Sequence, residues 1–422
     1  MEKNCACVIL KLWIGLIVTG RGHFSISGKW LQKAIDWQCA VAIFRGGSWC
    51  QDGEAAGFRM GLAHLVDKVL RLINKGALSA QCRLSPLLRP TLNSLPMILR
   101  LLPILILASC SSIPSPIAAG SKPKDHGAIG ATEGPAWKDG SLYFTDGKHI
   151  NCLAPDGKTR VFRQNASNGL LFDREGRLVA CETKNRRVTR TEKNGAITVL
   201  ADRYRGGRFN SPNDLCVNSK GNIYFTDPRY GSREGMEIIE DKDGVVESRS
   251  SKSALVEGVY RIDSDNQVTR IHCDGAQRPN GILISPDDHF LLIADNNNSV
   301  PGGSRKLLRY ELDADGQVRD GTRTVLFDWK DGRGPDGIKM DADGRIYVAA
   351  GTNKSTDLET TRFKAGCYIL APNGRLIDFI ATSPDECCNC AFGGKDGKTL
   401  FITSGGHLWS AQIKESVQTI VR

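Results

Sequence analysis

Glu133, Asn213, Asn280 and Asp336 each stand at the head of an apolar stretch, in the turns TEGPAW (132–137), SPNDL (211–215), RPNGI (278–282) and GPDGI (334–338). All four offer a carboxylate or carboxamide oxygen, and none offers sulfur or imidazole. Oxygen-only donors suit a hard cation, Ca2+ above all, with Zn2+, Mg2+ or Mn2+ as alternatives. Two carboxylates and two neutral amides roughly balance a divalent charge and leave the ion Lewis-acidic. The chain lacks the Cys/His spacing of a zinc site and the calcium loop of an EF-hand. Taken singly, each of these residues is also an ordinary turn former beside Pro or Gly. What gives them meaning is that they recur at the same place in a repeat.

The repeat is a strand pair. Its second strands read SLYFTD (141–146), GRLVACE (176–182), GNIYFTD (221–227), HFLLIAD (289–295), GRIYVAA (344–350) and KTLFITS (398–404). Five of the six follow an apolar strand and a polar turn, and the alternation is of period two, rich in β-branched and aromatic residues. Further short strands lie between the pairs, such as GVYRID (258–263) with QVTRIH (267–272), and LLRYELD (307–313). No helical stripe follows residue 125. Residues 126–422 divide into six units of roughly 50 residues, the blade size of a β-propeller. The expected fold is therefore all-β: a six-bladed β-propeller whose innermost strands begin at the mouth of a central metal-binding tunnel. Asn168, ahead of the strand LLF (170–172), occupies the same place in blade two and is a candidate substrate contact.

The segments EGPAW…LYFTD (133–146), SNGLLFDREGRLVACE (167–182), FNSPNDLCVNSKGNIYFTDPRYG (209–231), RPNGILISPDD…ADN (278–296), GPDGIKMDADGRIYVA (334–349) and NCAFGGKDGKTLFIT (389–403) together resemble the senescence marker protein (regucalcin)/gluconolactonase family, its bacterial gluconolactonase branch in particular. The resemblance implies a six-bladed propeller with one divalent metal in the tunnel and hydrolysis of a sugar lactone such as gluconolactone. It matches the family's metal-binding Glu to Glu133, its Asn and Asp to Asn280 and Asp336, and an Asn that contacts metal or substrate to Asn213. Animal members carry an arginine two residues before that Asn, where this chain has Ser211. Arg208 is the nearby candidate for a substrate contact, and Tyr230, in the loop DPRYG (227–231), is another. The expected mechanism has the cation polarise the lactone carbonyl while Asp336 orients or deprotonates the attacking water. No GxSxG turn supplies a nucleophile. Two other readings stand beside this one: a binding platform with a structural metal, and a hydrolase of phosphotriesters.

Charge narrows the partners. The chain of 422 residues carries a formal +10, but residues 1–96 hold 12 Lys+Arg against 5 Asp+Glu, or +7, leaving +3 for the rest. With no basic run interleaved with aromatics, nucleic acid is excluded as a partner. Residues 1–96 are unassigned beyond one amphipathic stretch at 61–75, and are read as an over-extended reading frame or an unrelated leader. The segment MILRLLPILILASCSS (97–112) reads as a lipoprotein-type signal ending at a lipobox cysteine, Cys110, and 111–125 as a flexible tether. The expected location is the bacterial cell envelope, exported to the periplasm or outer membrane and attached only through lipid on Cys110. In DECCNCAFGG (385–394) a CxxC spacing lacks both the helix of a redox motif and the second pair of a zinc site, so Cys387 and Cys388 are expected to be structural or to form an adventitious disulfide. The charged stretch 233–253 reads as a solvated insertion between blades, or a lid.

Overall fold

The computed structural model describes residues 113–230, the backbone of 245–247 and 253–255, and residues 257–383 and 385–417. The segment expected to be a signal, Cys110 of the expected lipobox and most of the 233–253 stretch lie outside the described residues. Among the described residues there is no helix. Six four-stranded antiparallel sheets form the blades of the propeller, joined by one small extra sheet.

Blade one comprises Glu133–Lys138, Ser141–Thr145, His149–Leu153 and Thr159–Gln164, ordered from the axis outward. The innermost strands of the next four blades are Leu170–Phe172, Leu215–Val217, Pro279–Ile284 and Pro335–Met340. Blade six is a composite. Cys387–Gly393, Thr399–Ser404 and Gly406–Gln412 come from the end of the described chain, and Lys124–Ala131 adds the outer strand from its start. Within the stretch expected to be a tether, Ala118 donates to the Gln412 carbonyl and Lys414 to that of Pro116. The docked chain thus begins ahead of residue 125, and the tether is shorter than its composition suggests.

Burial explains why each repeated strand reads as it does. Second strands such as Leu178–Glu182 and Ile346–Ala350 are buried at every position because a neighbouring blade covers each face. Outer strands such as Thr159–Gln164 are largely exposed. The apolar core is divided among the blade interfaces: Phe209, Phe225 and Tyr260 pack between blades two and three, and Tyr347 meets Phe392 edge-on between blades five and six. The insertion contributes Val245–Glu247 and Ser253–Leu255 to the extra sheet, beside Arg203–Tyr204 and Gly207–Arg208.

Candidate metal centre at the propeller axis

The ends of the innermost strands are irregular. In blades one, four, five and six the pairing with the second strand slips by one residue, between Glu133 and Ala136, Pro279 and Ile282, Pro335 and Ile338, and Cys387 and Asn389. Such a bulge re-aims side chains at the end of a strand, here toward the axis. Glu133 sits in the register position of Pro279 and Pro335, one residue before that of Asn280 and Asp336, and its side chain is longer by one methylene.

Adjacent blades touch at these ends. The glycine after each of three ring residues is where the next blade arrives: an added Cβ would lie 2.2 Å from the Asn168 carbonyl oxygen at Gly134, 2.1 Å from that of Asp336 at Gly281, and 2.1 Å from the Asn389 amide at Gly337. The threonines of the FTD strands fix the approach. Thr145 Oγ1 donates to the Asn168 carbonyl (3.3 Å), and Thr226 Oγ1 to that of Asn280 (2.6 Å). Gly169 donates its amide to the Asn213 carbonyl (2.8 Å).

Three donors from three blades converge. A carboxylate oxygen of Glu133, one of Asp336 and the Cys388 sulfur all lie within 4.8 Å of one another. Asp336 is 4% exposed; its Oδ2 accepts from Arg333 Nη2 at 3.3 Å while its Oδ1 has no partner. Asn280, also 4% exposed, donates through Nδ2 to the Tyr230 hydroxyl (3.4 Å) and leaves its Oδ1 unpartnered. The Asn168 Oδ1 is likewise buried and unpartnered. Buried oxygens without donors cost free energy unless something positive meets them, so the donor set fits a cation.

The electrostatics agree. Burial, then the neighbouring Asp214 carboxylate, push the Glu133 carboxyl up to about 7. Burial and the charge of Glu133 push Asp336 well above the usual carboxylate range, against the opposing pull of Arg333. Burial and the same two carboxylates raise the Cys388 thiol. Burial opposes the charge on Arg333, but Glu386, at 2.9 Å, and Asp336 more than offset it. Anionic groups therefore outnumber cations at the axis.

Of the sequence candidates, Glu133, Asp336, Asn280 and Tyr230 are in mutual reach, directly or through one neighbour. Asn213 is buried beside Gly169, with its carbonyl facing that turn. Arg208 is exposed, and its guanidinium donates to the Asn185 carbonyl (2.8 Å) in the turn after the second strand of blade two. Ser211 is buried and donates its hydroxyl to the Pro228 carbonyl, holding the loop that carries Tyr230.

Four residues were missed. Asn389 donates to Glu133 Oε2 (3.1 Å) and to Asp214 Oδ2 (3.5 Å), bridging two buried acids across the ring. Asp214 follows Asn213 where the other turns have glycine. Arg333 is the cation beside Asp336. Cys388 brings sulfur into a set read as oxygen only. No disulfide joins the described cysteines; Cys387 and Cys390 pack into the core between blades five and six.

Residues 131–406 match the family model described as the SMP-30/gluconolactonase/LRE-like region. A gluconolactonase of Zymomonas mobilis is 28% identical over 309 residues, covering 67% of this chain and 78% of its own length. The solved gluconolactonase of Xanthomonas campestris is 28% identical, with a TM-score of 0.55, over 71% of this chain and 91% of that one. A calcium-binding regucalcin from Agrobacterium tumefaciens shares the fold at 18% identity, with a TM-score of 0.53, over 72% of this chain and 96% of its own.

Proposed function

The chain belongs to the SMP-30/gluconolactonase/LRE-like family, and from that premise we propose that it is a metal-dependent lactonase that opens a sugar lactone, of the gluconolactone type, to its hydroxy acid. The observation that carries the reading is the convergence of Glu133 and Asp336, with orphaned oxygens on Asp336 and Asn280, at the axis of a propeller similar to gluconolactonases.

Glu133, Asn213, Asn280 and Asp336 would hold the divalent cation, with calcium the expectation for their oxygens. Bound there, such an ion supplies Lewis acidity toward the lactone carbonyl oxygen. The chain's own groups do the rest. Arg333 holds Asp336 by Oδ2, which leaves Oδ1 to accept the proton of the attacking water. Burial, then the charge of Glu133, raises the Asp336 carboxyl well above the usual carboxylate range, so it holds a proton more readily than an exposed aspartate does. Tyr230 donates to the Asn296 carbonyl (2.8 Å) while receiving the Asn280 amide, so it orients Asn280 and walls that side of the site.

The test is hydrolysis of glucono-δ-lactone and a panel of small lactones, followed with a pH indicator and corrected for spontaneous opening. Activity should vanish with EDTA, return with a divalent cation, and be absent in Asp336→Ala. A rate indifferent to EDTA would remove the metal from the reading. We also propose, from the lipobox alone, that the chain is exported and acylated on Cys110. Incorporation of a labelled fatty acid that is lost in Cys110→Ala would support this, and incorporation unaffected by that change would overturn it.

A further inference from the structure

Cys388 holds in blade six the place that Asp336 holds in blade five and Asn280 in blade four. Cys387 faces Ser404 and Cys390 faces Ile402, as Pro335 faces Ala350 and Ile338 faces Val348, and as Pro279 faces Asp295 and Ile282 faces Ile293. The equivalence is one of contact as well as register, because the Cys388 sulfur shares a 4.8 Å cluster with carboxylate oxygens of Glu133 and Asp336. Its neighbours Cys387 and Cys390 turn the other way, into the core. The thiol donates to the Glu386 carbonyl at 3.4 Å, and S–H is a weak donor. Beside it, Asp336 Oδ1 is buried without a partner.

We infer that Cys388 is a ligand of the axial cation, so that this chain carries a mixed oxygen–sulfur site selecting a thiophilic divalent ion such as Zn2+ over Ca2+. The inference rests on the metal site proposed above and revises the ion expected there. A thiolate is a soft donor that calcium and magnesium refuse and that zinc, cobalt and cadmium accept. On binding, the S–H proton leaves to solvent and the sulfur lone pair forms the bond to the metal. Two carboxylates and a thiolate would give the site one more negative charge than a divalent ion neutralises, and Arg333, shared between Asp336 and Glu386, stands beside it.

The experiment uses the full chain, stripped with a chelator and titrated with Co2+ or Cd2+ alone, with bound ion counted by equilibrium dialysis. One ion per chain should bind, with a sulfur-to-metal charge-transfer band in the ultraviolet. Cys388→Ser should abolish the band. It should also lower the preference for Zn2+ over Ca2+ by at least the roughly 10–100-fold that loss of even an outer-shell partner costs a metal site. The wild-type band does not depend on any variant folding, and Cys388→Ala serves as a second variant. One bound ion without the band, or a band that survives both substitutions, would overturn the inference and leave the metal site standing. No bound ion at all would overturn the metal site and the inference with it.

Discussion

Arg333 and Asp336, three residues apart in the turn that opens blade five, meet at 3.3 Å in the buried centre of the ring and divide the work of the aspartate's two oxygens. Oδ2 is held by the guanidinium, and Oδ1 is buried without a partner. A base whose orientation is fixed by one oxygen while the other is free to accept a proton is the arrangement a hydrolase requires.

Asp336→Asn keeps the shape and an amide oxygen but cannot take a proton. Lactone hydrolysis should fall by about 10²–10⁴-fold, the usual worth of general base catalysis, with the circular dichroism unchanged. An indicator assay on the folded variant reads this directly, and a wild-type rate would remove Asp336 from the base role.

The Glu133 and Asp227 carboxyls are each raised to about 7, burial being the first cause in both. A carboxyl whose folded value exceeds its unfolded one contributes most to stability below the ordinary carboxylate range. That contribution is lost as pH rises through the folded value. The chelator-treated protein should therefore lose stability from these two groups between about pH 4 and about pH 7. Added divalent cation should restore the share of Glu133 and leave that of Asp227. Thermal melts across that range, with and without metal, test it; metal-free melting temperatures that climb would show that burial does not dominate.

Gly281→Ala would drive a Cβ to within 2.1 Å of the Asp336 carbonyl oxygen. Backbone cannot yield as a flexible side chain can, so blade five must shift, at a cost of about 1–3 kcal/mol. Urea denaturation should register the loss. Cation affinity should fall too, because the moved strand carries Asp336; an unchanged affinity would mean that the strand does not set the site.

A chain beginning at Thr132 would lack the outer strand of blade six and expose the edge of Gly406–Gln412. Its melting should be lower and less cooperative than that of a chain beginning at Ser115, and its association greater, as unpaired strand edges promote. Calorimetry and light scattering compare the two, and equal melting would show that ring closure does not depend on this strand.

Much of the molecule was legible in the sequence because both signals were local. The second strands expected at 141–146, 221–227 and 398–404 form at Ser141–Thr145, Ile223–Asp227 and Thr399–Ser404. Period-two alternation needs no knowledge of distant contacts. The turn residues of blades one, four and five were legible for a similar reason: Pro and Gly beside them mark the strand mouth. Blade six carries no such punctuation, and CCNC gives no hint of which residue faces the axis. Asn389 escaped because its partner, Glu133, is 256 positions away. Arg333 sits in a turn, DGRGPDG, that reads as exposed, and only the ring geometry buries it. Arg208, close in sequence to Asn213, is exposed in a short strand and donates to the Asn185 carbonyl, a contact that sequence proximity does not reveal.

The composite sixth blade has a consequence for synthesis on the ribosome. Glu133 is made early and its partner Asn389 late, and the strand that closes the ring pairs with Gly406–Gln412. A nascent chain that has emerged only as far as blade five holds unclosed sheets and an incomplete set of donors. The centre thus comes into being after nearly the whole propeller has been translated, and a prematurely terminated product would lack Cys388, Asn389 and the closed ring that brings Glu133 and Asp336 together.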